Sequence, residues 1–253
     1  MAKPKILLLD IETAPLIIYS WGTFQVNAIK VIQDYYILSC AVKWLGDKKT
    51  ECKGLKDFPL YKKDIRNDRE LVNWIRAKID EADVVMAHNG DEFDIKKINS
   101  RMLLHGMTPP SPSISIDTLK ILRSKFGCTS NRLTDICNQL GIGKKTETGG
   151  FDLWENVMVG DMKAWKRMIQ YNMHDVDLLE GLYIKLRPWF TRHPNMGVFT
   201  GSLTCSRCGS DHLMSNGFRF TGGRKYKRLQ CQGCGGWMRD FKSIPEEKPL
   251  VNI

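Results

Sequence analysis

Lys5–Ile11 is an almost unbroken apolar run, the pattern of a central strand covered on both faces. Tyr35–Leu45 and Glu51–Leu55 read as two further strands, parted by the turn-forming Gly46-Asp47-Lys48-Lys49. Asn67 or Asp68 can cap a helix whose apolar positions Leu71, Val72, Trp74, Ile75 and Ile79 fall on one side. Val84–Ala87 predicts a short strand, and Phe93–Leu104 a helix closed by Gly106 and Pro109-Pro110. Ser113–Ile116 predicts a strand leading into a helix from Thr118 to Phe126, and Asn131–Leu140 predicts a helix ending at Gly141. Lys144–Gly150 is polar and glycine-rich, the pattern of a mobile loop. Met162–Ile169 and Tyr171–Leu186 predict two last helices. Three strands in succession, followed by alternating helices and strands, imply an α/β domain with a mixed sheet.

The pattern changes at Pro188 and His193-Pro194-Asn195. From Gly197 onward the chain is rich in Gly, Cys and basic residues and poor in aliphatics. We therefore expect a main domain over residues 1–192, a linker over 193–202, a small module over 203–242 and a tail over 243–253. A chain of 253 residues accommodates one medium domain plus such a module. With 42% hydrophobic and 26% charged residues the composition is that of a globular protein, and no apolar run is long enough to cross a bilayer. The N-terminal MAKPKILLLDIET has a basic start, but its apolar stretch is too short for a signal peptide and runs straight into acids. Read as a buried first strand, it implies an intracellular, cytoplasmic protein. The net charge of +10 favours an acidic partner, nucleic acid foremost.

Three groups of residues carry candidate chemistry in the main domain. Asp10 and Glu12 lie two apart at the end of the first strand, so both carboxylates point to one side. Asn89-Gly90-Asp91-Glu92-Phe93-Asp94 falls where a strand meets a helix and puts Asp94 on the first helical turn. Helix-dipole preference alone accounts for Asp91 and Glu92 better than for Asp94. Tyr171 and Asp175, four apart in a helix, share one face, whereas Asp177 and Glu180 read as exposed acids.

The order and combination of these groups resemble the three exonuclease motifs of the DnaQ-like, or DEDD, superfamily: Asp-x-Glu on a first strand, Asn-x(2–3)-Phe/Tyr-Asp midway, Tyr-x(3)-Asp on a late helix. Ile116-Asp117-Thr118-Leu119 and Leu133–Ile142 resemble further segments of that family, so the likeness spans roughly residues 3–187. It implies a ribonuclease H-like fold, a mixed five-stranded sheet flanked by helices, and a 3′–5′ exonuclease. By the same resemblance Asp10, Glu12, Asp94 and Asp175 would hold two Mg²⁺ or Mn²⁺ ions, and Thr13, Asn89 and Phe93 would contact the substrate's 3′ end. One branch of the family carries a histidine five residues before the last aspartate, where this chain has Gln170; the other carries a tyrosine four before, matched by Tyr171. The chain resembles the tyrosine branch, and His174 is at the wrong spacing for the other. Two cations stabilise an attacking hydroxide, a pentacovalent phosphorus and a leaving alkoxide together. Hard oxygen ligands select Mg²⁺ or Mn²⁺ over zinc, and clustered carboxylates repel one another without such ions. A phenol is a poor general base at neutral pH, so the role expected of Tyr171 is to orient the water.

Of the eight cysteines, Cys40, Cys52, Cys128 and Cys137 are scattered and read as buried thiols. Cys205-Ser-Arg-Cys208 and Cys231-Gln-Gly-Cys234 form two Cys-x-x-Cys pairs, with Gly209 and Gly235 placed for tight knuckle turns. That spacing points to one structural Zn²⁺ in a zinc ribbon, supplying the stability that so short and weakly apolar a segment lacks. Between the knuckles lie Phe218-Arg219-Phe220 and Arg224-Lys225-Tyr226-Lys227-Arg228. Basic residues interleaved with aromatics suit phosphate contact and base stacking, which makes Arg224, Lys225, Lys227 and Arg228 candidate substrate contacts. Leu203 to Trp237 resembles the zinc ribbons of some transposase-associated and other DNA-binding proteins; a protein-docking ribbon is the alternative. A compact exonuclease followed by a ribbon also resembles bacteriophage-encoded proteins. The expected polymer is single-stranded DNA, handled by a monomer in replication, repair or nucleotide salvage. An RNA exonuclease, a non-catalytic nucleic-acid-binding protein and a structure-specific endonuclease stand as alternatives.

Overall fold

A computed structural model of the chain describes residues 4–24, 27–143, 149–201 and 203–245. The chain divides into two compact units, Lys5–Leu182 and a second that begins at Tyr183 and carries the four paired cysteines. The first unit opens with β1 (Ile6–Thr13), β2 (Ile17–Tyr19), β3 (Lys30–Gln33), β4 (Ile37–Trp44) and β5 (Glu51–Gly54). Two single 3₁₀ turns lead to α1 (Arg69–Asp80), β6 (Val84–Ala87), α2 (Asp94–Leu104), β7 (Ile114–Asp117), α3 (Thr118–Lys125), α4 (Leu133–Gln139), α5 (Asp152–Met158) and α6 (Met162–Leu186), which runs on into the second unit.

The five-stranded sheet has the order β5-β4-β1-β6-β7. β1 is central, antiparallel to β4 and parallel to β6; β6 is in turn parallel to β7. This is the expected mixed sheet. Ile6 to Leu9 are fully or nearly fully buried, because the sheet is covered on both faces. On one face Leu7, Leu9 and Ile11 join a cluster with Leu71, Val72 and Ile75 of α1, Ile98 and Met102 of α2, and Leu153 and Val157 of α5. Side chains of Leu8, Asp10 and Glu12 alternate to the other face, along with their cross-strand partners Lys43, Ala41 and Ser39 on β4. There α6 supplies Asn172 to Ser39, and Asp177 and Glu180 to Lys43.

Several expectations are corrected. Met162–Leu186 is one 25-residue helix, not two. Gln170 brings no proline, glycine or competing side chain to break it, and Trp165, Met168, Asn172, Val176, Leu179 and Leu182 form an unbroken buried stripe at helical spacing. Asp68 precedes α1 but does not cap it with its side chain. It is fully buried: its carboxylate takes both the Nε (2.8 Å) and an Nη (2.6 Å) of Arg101, the His105 ring at 2.6 Å and the Ile37 amide at 2.8 Å. Asp177 is half exposed as expected, whereas Glu180 is largely buried. Both pair with the buried Lys43 at 2.8 Å, Asp177 also accepts from Thr50, and Glu180 from the Gly46 amide. The hairpin β2–β3 and the seven-residue α5 were not expected. Cys40 and Cys137 are buried, whereas Cys52 and Cys128 are only half-buried. Within the expected loop Lys144–Gly150, residues 144–148 lie outside the described residues, as do 246–253 of the expected tail.

In the second unit Tyr183, Phe190 and His193 pack together, the Tyr183 hydroxyl 2.8 Å from the His193 ring. Asn195, inside the expected linker, caps a short helix, α7 (Met196–Thr200), by accepting from the Gly197 amide. β8 (Leu213–Thr221), β9 (Arg224–Cys231) and β10 (Trp237–Ile244) form a three-stranded antiparallel sheet. Its last strand ends two residues beyond the expected end of the module at 242.

Candidate active site

Asp10 and Glu12 are carried to one place by the alternation of β1, and α6 crosses that face with Asp175. Carboxylate oxygens of the three acids lie within 4.8 Å of one another. Asp94, at the first turn of α2, is not among those three but stands beside them: it accepts the Ile11 amide, between Asp10 and Glu12, at 3.0 Å, and its charge acts on both. The local sequence explains how Asp94 gets there. Asn89 adopts a left-handed backbone (φ 69°), which Asn tolerates, and its amide donates to Asp117 of β7 at 3.0 Å. Gly90 follows where any Cβ would come within 2.4 Å of the Ala87 side chain, so only glycine lets the chain turn into α2.

The electrostatics are those of like charges forced together out of water. Burial, then Asp94, Glu12 and Asp175, hold Asp10 well above the usual carboxylate range. Burial and the charges of Asp175 and Asp94 push Glu12 to about 8, and burial chiefly raises Asp94 to about 7 and Asp175 to about 6. The phenol of Tyr171, one helical turn before Asp175, donates a hydrogen bond to it. Burial and the neighbouring acids raise that phenol above its ordinary value, so it is a donor at neutral pH. The Asp175 Oδ1 atom is buried with no partner among the described residues. Four acids with raised pKa values and an orphaned, buried carboxylate oxygen are what a divalent cation would relieve, and an all-oxygen donor set suits Mg²⁺ or Mn²⁺.

Two positioning residues escaped sequence reading. Asn172 is fully buried and donates to the Asp10 carboxylate at 2.6 Å while accepting from the Ser39 hydroxyl at 2.9 Å. Its signal was a lone amide inside the apolar stripe of α6. Trp154 of α5 donates to Glu12 and meets the Tyr171 ring edge-on at 6.1 Å. Thr13 joins Pro15, Phe151 and Trp154 around an open depression of about 310 Å³. Phe93 is exposed, with the ammonium of Lys97 5.0 Å from its ring and 3.7 Å from that of Tyr35. Asp91 and Glu92 pair with Lys120 and Lys96.

In the second unit the four thiols of Cys205, Cys208, Cys231 and Cys234 come within 4.8 Å of one another. Cys205 and Cys234 are 3.7 Å apart, Cys208 and Cys231 3.6 Å. Tetrahedral Zn–S bonds of about 2.3 Å require sulfur–sulfur edges of roughly 3.8 Å. Each knuckle closes on its glycine: Gly209 (φ 73°) donates to the Cys205 carbonyl and Gly235 (φ 74°) to that of Cys231, both at 2.9 Å. Burial opposes ionisation of Cys231, but the Cys234 amide, the Cys208 thiol and the Gly233 amide hold it down at about 7. The four expected basic contacts do not come together. Alternation along β9 puts Arg224 and Arg228 on one face and Lys225 and Lys227 on the other, where Lys225 lies 4.4 Å from the Phe218 ring.

A mixed five-stranded sheet with flanking helices, and an acid cluster where its central strand meets a late helix, define the ribonuclease H-like class. The chain belongs to the RNase H superfamily, whose sequence profile matches residues 7–187. Over 114 residues it is 28% identical to the DNA polymerase III PolC-type of Ureaplasma parvum, a match covering 45% of this chain and 8% of that protein. Among solved structures it is similar to the family B DNA polymerase of the hyperthermophilic archaeon Pyrobaculum calidifontis, with a TM-score of 0.54 at 18% identity over 74% of this chain and 25% of that one. The chain thus spans a small part of each relative. No helix among the described residues is long and apolar enough to cross a membrane.

Proposed function

We propose that the protein is a metal-dependent 3′–5′ exonuclease of the tyrosine branch, acting on nucleic acid and preferring single-stranded DNA. The observation that carries this reading is the convergence of Asp10, Glu12 and Asp175 within 4.8 Å, with Asp94 bonded to the strand between the first two and Tyr171 bonded to the last. Membership of the RNase H superfamily and the similarity to two DNA polymerases support it.

Asp10, Glu12, Asp94 and Asp175 would hold two divalent ions, whose chemistry when bound is to lower the pKa of water and take up charge at phosphorus and the leaving oxygen. The chain's own residues do the positioning. Asn172 fixes the Asp10 carboxylate and Trp154 fixes that of Glu12 by hydrogen bonds. Tyr171 keeps its proton and orients Asp175 or the attacking water through its hydroxyl. The depression at Thr13, Phe151 and Trp154 offers an aromatic floor for the terminal base beside Glu12, with Asn89 and Phe93 as further contacts. The four-thiol cluster holds one structural Zn²⁺ and folds the second unit around it, as its sulfur spacing supports.

The reading is tested by incubating 5′-labelled single-stranded and duplex DNA and RNA with the protein and Mg²⁺ or Mn²⁺. Stepwise shortening that requires the cation, fastest on single-stranded DNA, is expected. Binding without cation-dependent cleavage would reduce the protein to a nucleic-acid-binding module, and a faster reaction on RNA would reassign the polymer.

A further inference from the structure

The second unit carries a cationic site on the face of its sheet opposite Lys225 and Lys227. Strand pairing sets Arg219 opposite Tyr226, Arg228 directly opposite Arg239, and Trp237 opposite Gln230. Tyr226, Arg228 and Gln230 alternate to one face of β9, so their partners share it. A cavity of about 540 Å³ opens there, lined by Arg219, Arg228, Trp237, Met238 and Arg239. The guanidinium of Arg239 lies 3.8 Å over the Tyr226 ring and that of Arg228 4.9 Å over Trp237, whose indole is 42% exposed. Arg228 is fixed by donating its Nε to the Asn216 carbonyl at 2.7 Å, which leaves its terminal nitrogens for a ligand.

Like charges directly opposite on a sheet destabilise it, and guanidinium cannot escape by losing a proton. Among the described residues no ion pair includes any of the three arginines, and Arg239 donates only to the Asp240 backbone carbonyl, at 3.0 Å. Such an arrangement calls for an anion from outside. Planar, fixed guanidinium forks match phosphate oxygens, and an exposed indole beside them matches the face of a base. An acidic peptide would satisfy the arginines and leave the indole unused, and a duplex would hide its base faces.

We propose that Arg219, Arg228 and Arg239 with Trp237 form a subsite for one nucleotide of a single strand, the arginines taking its phosphodiester and the indole its base. This rests on the nucleic-acid reading above but not on its catalysis. The site lies across the sheet from Lys225 and Lys227, so the two can be separated by substitution.

The test is fluorescence anisotropy of a labelled oligothymidylate, without Mg²⁺ so that nothing is cleaved, over a range of salt. Each variant is first shown to keep its zinc and its circular dichroism. Arg219→Gln with Arg239→Gln should lower the log–log salt slope by about 0.7, the loss of one phosphate contact. Trp237→Leu should weaken binding roughly 5- to 150-fold with the slope unchanged, as expected when stacking alone is lost. Lys225→Gln with Lys227→Gln should leave the Trp237 effect intact. Unchanged affinity and slope in the arginine and tryptophan variants would overturn the subsite, as would competition by polyglutamate as effective as that by the oligonucleotide. Wild-type protein that binds and never cleaves with Mg²⁺ would sink the exonuclease reading and leave the subsite standing. Cleavage by a wild type whose variants bind normally would do the reverse.

Discussion

Replacing Asp175 with Asn should stabilise the protein at alkaline pH when no Mg²⁺ is present. The Asp175 carboxyl is buried among like charges and is raised from 3.8 to about 6. The folded state therefore holds its proton more tightly than the unfolded chain does. Its stabilising contribution is complete below pH 4 and is lost as pH rises through 6. The rise amounts to roughly 3 kcal/mol at pH 8. The true gain is smaller, because Asn also gives up the charge that Tyr171 bonds, and relief at one acid lets its neighbours ionise more easily. We expect the variant to be more stable by about 1–3 kcal/mol at pH 8, or some 3–10 °C in melting temperature, and no more stable than wild type at pH 4.5. The assay is thermal or urea unfolding followed by tryptophan fluorescence, in buffer freed of Mg²⁺ by dialysis; a chelator is avoided because it would also strip the zinc proposed for the four cysteines. Adding Mg²⁺ should reverse the order, since only the intact acid set gains stability by binding it. A variant that is no more stable than wild type at pH 8, or that gains as much from Mg²⁺, would refute the argument that these carboxylates are forced together to hold cations.

Asn172→Leu removes the donor to Asp10 and leaves that carboxylate and the Ser39 hydroxyl without their partner; we expect a loss of about 1–3 kcal/mol by urea unfolding and a drop in turnover. Tyr171→Phe should slow hydrolysis without abolishing it while Mg²⁺ still raises the melting temperature, and His174→Ala should matter less; the opposite ranking in a turnover assay contradicts the tyrosine-branch assignment. Asp68→Ala strips a fully buried carboxylate from Arg101 and His105 and should cost about 3–5 kcal/mol in stability, read by the same unfolding assay. Metal analysis should find one zinc in the wild type and none in Cys231→Ser, whose second unit should unfold while the first keeps its core.

Local rules made much of this site legible. The period of two on β1 aimed Asp10 and Glu12 together, and the period of 3.6 on α6 did the same for Tyr171 and Asp175. What local rules could not reach was set by partners distant in sequence. Asp68 looked like a cap because nothing nearby announces Arg101, and the pairing of Asp177 and Glu180 with Lys43 was hidden because Lys43 is more than 100 residues away. Asn172 and Trp154 mattered only once α6 and α5 were laid against β1. The basic run of β9 shows the same limit from the other side: residues adjacent in sequence on a strand face opposite ways, so four neighbours become two pairs.

The most direct test of the central claim uses a single-stranded DNA labelled at its 3′ terminal nucleotide, incubated with the protein and Mg²⁺ and sampled at the earliest times. The account predicts that the first labelled product is a mononucleotide, that none appears without the cation, and that Asp10→Ala releases none while still binding the strand. A labelled oligonucleotide as the first product, or undiminished release by Asp10→Ala, would contradict it.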